Sequence, residues 1–271
     1  MNQPFISCIC PTYKRPRLLQ NALACFLAQD YPEDRRELII CDDAAQYDSQ
    51  EGPDWKLQST DLRYPGLPHK YNAMIAQARG DVIAIWEDDD IFLPWHLSDV
   101  AKTAGRQSSG FYVSKKVWST YKEPFGNAHI EAAAGLFHSS WRFTRNLFEQ
   151  VGGYPENSEL SFDQQFGALL RDAANGCSYY GFTSRPGYVY RWGNNYWHGS
   201  QRGGEGYTDL WQAVGQLPAP KQGRLRPRFD AETRLIYNQL HANKVWFDQR
   251  DLYNLWVKSC HRIQRKLRIC Y

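Results

Sequence analysis

Glu87-Asp88-Asp89-Asp90 is the stretch of this sequence best equipped to do chemistry. Four adjacent carboxylates repel one another unless a cation lies among them, and hard oxygen ligands of this kind suit Mg2+ or Mn2+. Such an ion takes one or two carboxylates and completes its shell with water and substrate phosphates. It would hold a diphosphate and stabilise the charge that develops there as the group leaves. The plainer alternative is a solvated acidic turn or a cap for the next helix. Position argues for the site. The run follows an apolar stretch, and so do two other polar clusters, Pro11-Thr12-Tyr13 and Asp42-Asp43.

The elements that must position these clusters can be read from hydrophobic periodicity. Residues 5–10 form a short apolar run that Pro11 is expected to end, a buried first strand. Leu18, Leu19, Ala22, Leu23, Phe26 and Leu27 recur at helical spacing, so 17–29 should be a helix stopped by Tyr31-Pro32. A second strand over 37–41 runs into Asp42-Asp43. The polar, Pro- and Gly-punctuated stretch 46–68 reads mostly as loop, 71–78 as a helix closed by Gly80, and 81–86 as a third strand. Strand, helix and strand in alternation predict a parallel, doubly wound α/β sheet, whose ligands bind beyond the carboxyl ends of the strands. All three polar clusters fall there, on one edge of one sheet.

Further along, a helix should end at Gly152-Gly153, another should cover 163–173, and 188–190 should be a strand. Pro218 and Pro220 mark a linker, and 230–269 has helical periodicity. The expected division is a catalytic α/β domain over 1–217, then a linker and C-terminal helical extension over 218–271.

Charged residues make up 23% of the 271, which argues against disorder, and a net charge of +3 is too small to imply a nucleic-acid partner by itself. The seven cysteines form no Cys-x-x-Cys pair. Cys8 and Cys10 alternate within a strand and should share one face, and Cys41 closes another, so reduced thiols in a reducing compartment are expected. No opening signal segment or membrane-length apolar run is seen, so a cytoplasmic protein is expected, with contact to a membrane surface left open. The abundant aromatic residues are expected mostly to fill the core.

The order Pro11-Thr12-Tyr13, Cys41-Asp42-Asp43, Asn72, Ala78-Arg79-Gly80-Asp81, then Ile85-Trp86-Glu87-Asp88-Asp89-Asp90 with Pro94, resembles the family 2 glycosyltransferases. Val151-Gly152-Gly153-Tyr154, Phe162-Asp163, and Tyr190-Arg191 followed by Asn195, His198 and Ser200 extend the likeness over about residues 4–205. The resemblance implies a GT-A fold: a Rossmann-like, mostly parallel mixed sheet flanked by helices. It also implies an enzyme that moves a sugar from a nucleotide-sugar donor, commonly a UDP-sugar, to an acceptor hydroxyl with inversion. Pro11, Thr12, Tyr13 and Asp43 would then contact the nucleoside, with Asp42 a close alternative. The family's Asp-X-Asp motif (DXD) maps onto Glu87-Asp88-Asp89. Asp89 becomes the leading ligand of Mn2+ or Mg2+, and Asp88 lies near the ribose or the metal. Glu87 stands where relatives more often have Asp, which leaves Glu87 and Asp90 as alternative further ligands. Asp163 matches the catalytic base, where relatives often place Glu before the Asp and this chain has Phe162. Glu159 is the nearby alternative base, and the plain reading of Asp163 is a carboxylate favoured by a helix N-terminus. His198 is a candidate diphosphate or metal contact. Arg191 suits phosphate through its guanidinium fork, and Lys70 and Arg79 are further cationic candidates. Trp192, Tyr196 and Trp197 would stack on sugar or pack internally.

A nucleotidyltransferase would need a Gly-rich loop after the first strand, where this chain has Pro11-Thr12-Tyr13-Lys14-Arg15-Pro16. A sugar- or nucleotide-binding module without catalysis is the alternative from a different class. The basic end, with Lys258, Arg262, Arg265, Lys266 and Arg268, suggests a solvated helix face or contact with anionic lipid or a polyanion. A homodimer is another expectation for the C-terminal helices. The acceptor stays open among glycan, lipid-linked sugar, protein and modified nucleic acid.

Overall fold

A computed structural model describes residues 3–104, 110–120, 128–133, 135–157, 161–180, 185–191 and 218–241. The sheet is built outward from β1 (Ile6–Thr12), which pairs in parallel with β2 (Arg36–Asp42) on one side and β5 (Val82–Ile85) on the other. Beyond β2 lie β4 (Trp55–Ser59), also parallel, and the short antiparallel β3 (Gln50–Glu51). Beyond β5 come β10 (Trp141–Thr144), antiparallel to both neighbours, then β7 (Phe111–Ser114) and β11 (Ser178–Tyr180). The full order is β11-β7-β10-β5-β1-β2-β4-β3. It is the mixed, mostly parallel sheet expected.

Alternation along the central strands makes two cores. Cys8, Cys10, Leu38, Ile40, Val82 and Ala84 face one layer of helices, and Ile9, Ile39, Ile83 and Ile85 face the other. The first layer contains α1 (Pro16–Leu27), α3 (His96–Ala104) and a helix over 231–241, here α6. The second contains α2 (Leu67–Ile75), α4 (Arg145–Val151) and α5 (Phe162–Ala173). Asp230 caps α6 by accepting from the Thr233 N–H at 2.8 Å, and it is tied to α1 by Asn21 Nδ2 at 2.9 Å. Ile236 and Leu240 are buried with the α1 core, so residues 230–241 pack on the sheet domain. The remainder of the predicted 230–269 helix lies outside the described residues.

Three sequence expectations are corrected. Pro11 continues β1 instead of ending it. Ile9 turns its carbonyl toward β5 and accepts from Trp86 N, and residues two apart in a strand turn the same way. Pro11 therefore presents its missing N–H to the β5 side, where that ladder has already stopped at Ile9↔Ile85. The stretch 46–68 is not mostly loop. It contains β4, which buries only Leu57 of its two apolar residues and so carries a weak pattern. Helix α2 starts at Leu67, four residues before Tyr71, because Pro68 sits in the first turn, where a missing N–H costs nothing.

A second sheet, in the order β6-β12-β8-β9, is formed by β6 (Ile91–Phe92), β8 (Lys116–Ser119), β9 (His129–Ala132) and β12 (Tyr188–Tyr190). The Gly152-Gly153 segment ends α4 with φ of 78° and 81°. A Cβ on Gly153 would come within 2.8 Å of Asn72 Oδ1. Asn72 instead holds the Tyr154 backbone, accepting from its N–H at 2.9 Å and donating to its carbonyl at 3.0 Å. That contact explains two of the motifs at once.

Among the described residues no helix is long and apolar enough to cross a membrane. Cys8, Cys10 and Cys41 are free and buried, as expected of their strands, and Cys25 on α1 is free and buried as well. Burial pushes the Cys8 and Cys25 thiols up to about 12 and raises Cys10 and Cys41 as well. Iodoacetamide at pH 8 should therefore leave these four unmodified in the native protein and label all of them after denaturation, as read by peptide mass mapping. Labelling of Cys8 or Cys10 under native conditions would contradict the packing of β1.

Candidate functional site

The strand order reverses at β1, with β2 on one side and β5 on the other, and the carboxyl ends of all three parallel strands lie on one edge, where such sheets bind ligands. Thr12 closes β1 and donates its hydroxyl to Asp88 Oδ2 at 2.6 Å, across the switch point. Asp43, just past β2, is buried between two cations. Lys70 Nζ reaches its Oδ1 at 2.6 Å and Arg63 Nη1 its Oδ2 at 2.5 Å. Lys70 also donates to the Thr12 carbonyl at 2.7 Å, so this buried ammonium ties two strand ends together. Tyr13 is half-buried, and the Arg63 guanidinium lies 3.6 Å from its ring centre, close enough for a cation–π contact.

The four carboxyls after β5 have four different settings. Glu87 is the most exposed. It accepts from Ser139 Oγ at 2.7 Å and Tyr71 OH at 3.2 Å, and it meets His138 Nδ1 at 2.9 Å. The other ring nitrogen of His138 is 2.8 Å from Tyr154 OH. Asp88 and Asp89 share Arg15, whose Nη2 is 2.6 Å from Asp88 Oδ1 and whose Nη1 is 2.8 Å from Asp89 Oδ2. Asp90 accepts from Tyr188 OH at 2.8 Å and from the Arg191 N–H at 3.2 Å. Burial pushes the Asp88 carboxyl up to about 6 despite the pull of Arg15. Burial, then the charge of Asp89, raises Asp90 well above the usual carboxylate range. Both shifts express the cost of crowding buried carboxyls in one turn. Glu87, Asp89 and Asp90 each offer an oxygen within 4.8 Å of the others. Hard oxygens at that separation suit Mg2+ or Mn2+ in chemistry, and the trio offers more than the one or two carboxylates such an ion takes.

The other sequence candidates are placed as follows. Pro11 is strand backbone beside Thr12. Asp42 is spent on its own turn, accepting from the N–H groups of Ala44, Gln46 and Tyr47 at 3.0, 2.7 and 3.2 Å and from Ser59 Oγ at 2.9 Å. Arg191 is fully buried, donates to the Asp89 carbonyl, and reaches Thr233 Oγ1 on α6 at 3.2 Å. Arg79 pairs with Glu37 at 2.9 Å and lies over Phe5, at the far end of β1 from the site. Asp163 is half-buried in the first turn of α5, and the Phe162 ring before it lies 5.7 Å from His138 and 5.9 Å from Tyr71. His198, Glu159, Trp192, Tyr196, Trp197 and the basic C-terminal end lie outside the described residues.

Arg15, Arg63, His138 and Ser139 were not identified from the sequence. Arg15 carried a signal, a cation three residues past Thr12 and directly before a helix-starting Pro16. His138 and Ser139 carried none. They reach Glu87 because β10 runs antiparallel beside β5, with Arg142 opposite Ala84, so residues before β10 face residues after β5.

The sequence profile of Glycosyl transferase family 2 matches residues 7–177. Curated proteins give no match. Among solved structures, S. aureus TarS 1-349 in complex with UDP-GlcNAc is similar at 15% identity and a TM-score of 0.57, with 79% of this chain and 68% of that one covered. The mannosyltransferase PcManGT from Pyrobaculum calidifontis, in complex with GDP-Man and Mn2+, is similar at 19% identity and a TM-score of 0.52, with 96% and 76% covered. At these identities the likeness is one of fold, the GT-A arrangement.

The two aspartates after β2 should part company on substitution. Asp42→Ala orphans three N–H groups and a hydroxyl, so unfolding in urea should show a loss of about 3 kcal/mol. A loss below about 0.5 kcal/mol would mean that the turn does not depend on it.

Proposed function

The chain belongs to glycosyl transferase family 2, and on that premise we propose that it moves a sugar from a nucleoside-diphosphate donor to an acceptor hydroxyl with inversion. The observation that carries this reading is the meeting of Thr12, Asp43, Lys70, Asp88 and the Glu87–Asp89–Asp90 oxygens at the switch point of the sheet. Pro11, Thr12, Tyr13 and Asp43 line the nucleoside subsite, with the Tyr13 ring offering a stacking surface. Lys70 fixes the subsite by bridging Thr12 and Asp43. Asp88, anchored by Thr12, faces the ribose. Asp89 would hold the cation with Glu87 and Asp90, and His198 is the proposed further contact from the segment after β12. When bound, Mn2+ or Mg2+ would neutralise the charge on the departing diphosphate. Arg191 serves by fixing the acidic turn from behind, since its buried side chain is engaged with the Asp89 carbonyl and Thr233.

Asp163 takes the proton of the acceptor hydroxyl as that oxygen attacks the anomeric carbon. The bond from that carbon to the diphosphate oxygen breaks on the opposite face, which inverts the configuration. UDP is the proposed nucleotide. TarS is seen with UDP-GlcNAc and PcManGT with GDP-Man, so the donor is a matter for direct measurement.

Calorimetry with UDP-, GDP- and TDP-sugars, with and without Mn2+, tests the reading on wild type, Asp89→Asn and Asp163→Asn. Wild type should bind one donor class in a Mn2+-dependent way, and Asp89→Asn should lose about 10-fold or more of that affinity. Asp163→Asn should bind the donor like wild type, while its slow hydrolysis, with water in the acceptor's place, falls by roughly 100-fold or more. Binding by wild type with no nucleotide release would favour a sugar-binding module. No binding of any donor would overturn the site.

A further inference from the structure

Arg15 is a cation already seated where the proposed metal's ligands lie. Its two terminal nitrogens do not grip one carboxylate but bridge two, Asp88 at 2.6 Å and Asp89 at 2.8 Å. Its side chain is 16% exposed, against 0% for Asp88 and 7% for Asp89, so the pair is shielded from water on the carboxylate side. The backbone is shaped for the contact. Lys14 takes the left-handed conformation at φ 56°, uncommon for a residue with a side chain, and Arg15 then caps α1, accepting from Leu19 N at 3.0 Å. Thr12 holds the second oxygen of Asp88, so the carboxylate cannot turn away from the guanidinium.

Asp89 belongs to two constellations at once, the Arg15 bridge and the carboxylate trio with Glu87 and Asp90. One carboxylate cannot give its full charge to a guanidinium and to a divalent cation, and the two positive groups repel at such separations. We propose that Arg15 is an internal counter-ion of the acidic turn, which a nucleoside diphosphate draws off so that the divalent cation can bind. This rests on the donor-site reading above. A diphosphate offers the guanidinium fork oxygens of the geometry it fits best, and it supplies oxygen ligands that complete the cation's shell. Cation and nucleotide then strengthen each other's binding by the same factor; direct phosphate–cation contact supplies part of that coupling and the release of Arg15 the larger part. Without nucleotide, Arg15 keeps the carboxylates from repelling one another, and the site takes up metal poorly.

The test is a Mn2+ titration followed by the electron paramagnetic resonance signal of free Mn2+, with the protein alone and with saturating UDP or GDP. Wild type, Arg15→Met, Arg15→Lys and Asp89→Asn are compared, each checked for folding by circular dichroism. In wild type, nucleotide should tighten Mn2+ binding by about 10-fold or more. Arg15→Met should bind Mn2+ alone about 10-fold more tightly than wild type and lose most of the coupling. Arg15→Lys keeps the charge but replaces the planar fork with a shorter, strongly hydrated ammonium that matches diphosphate oxygens less well, so it should also lose coupling, which a through-space charge effect would preserve. Should Arg15→Met fail to fold, the lysine variant decides.

Coupling of wild-type strength in Arg15→Lys or Arg15→Met overturns the proposal. So does wild type that binds both Mn2+ and nucleotide without coupling, while Asp89→Asn loses Mn2+. In that event the donor site stands and the role of Arg15 falls. If wild type binds neither Mn2+ nor nucleotide, the donor-site reading fails first and this proposal goes with it.

Discussion

Four carboxyls in one buried turn are an electrostatic burden that the surrounding fold is arranged to carry. Each has its own set of partners, and those partners come from widely separated parts of the chain. Thr12 and Arg15, at the end of β1 and the start of α1, hold Asp88 and Asp89. Ser139 and His138, ahead of β10, and Tyr71 of α2 hold Glu87. Tyr188, which opens β12, and Arg191, just past its end, hold Asp90 and the Asp89 backbone. Buried charge without such partners would cost several kcal/mol per ion, so the stability of the turn depends on most of the fold. The acidic turn is therefore both the candidate functional centre and the point where both sheets and both helix layers are fastened.

The topology explains why this burden is placed here. At the switch point β1 and β5 end side by side, and in open α/β sheets this is where a ligand can bind without breaking a ladder. Pro11 fits that edge because the β5 ladder has stopped before it. Immediately after Asp90 the chain enters β6 of the second sheet, so the turn bridges the two sheets. Arg191 then binds it to α6 through Thr233. The sheet supplies rigidity at the strand ends, and the later segments supply the donors that make the carboxyls tolerable.

What was legible in the sequence follows the strength of local patterns. Strands β1, β2 and β5 are buried on both faces and read as apolar runs, so the three polar clusters could be assigned to one edge before any coordinates. β4 was not legible, because a strand that buries little more than Leu57, with only the two-residue β3 beyond it, has almost no pattern to show. β10 and, β12 apart, the strands of the second sheet were missed for another reason: their pairing is set by partners far away in sequence. His138 and Ser139 stayed hidden with them, since nothing local distinguishes a histidine that will lie beside Glu87. Asp42 and Asp43 were inseparable as adjacent aspartates. Only the direction of each side chain distinguishes them, one into its own turn and the other toward Lys70 and Arg63.

Phe162 shows how a departure from a family pattern can be structural in meaning. It stands before Asp163, where relatives often carry an acidic residue, and its ring lies against His138, Tyr71 and Tyr154. Two of those residues, His138 and Tyr71, also meet Glu87, so an unbroken run of packed aromatic groups joins the start of α5 to the acidic turn. A carboxylate in place of Phe162 would face this apolar cluster and add a further negative charge near Glu87. The aromatic ring avoids that repulsion, and it sets the spacing between the proposed base and the cation ligands by packing instead of by a loop. Close-packed rings deform little. A shift of α5 would therefore be felt at Glu87 through these rings.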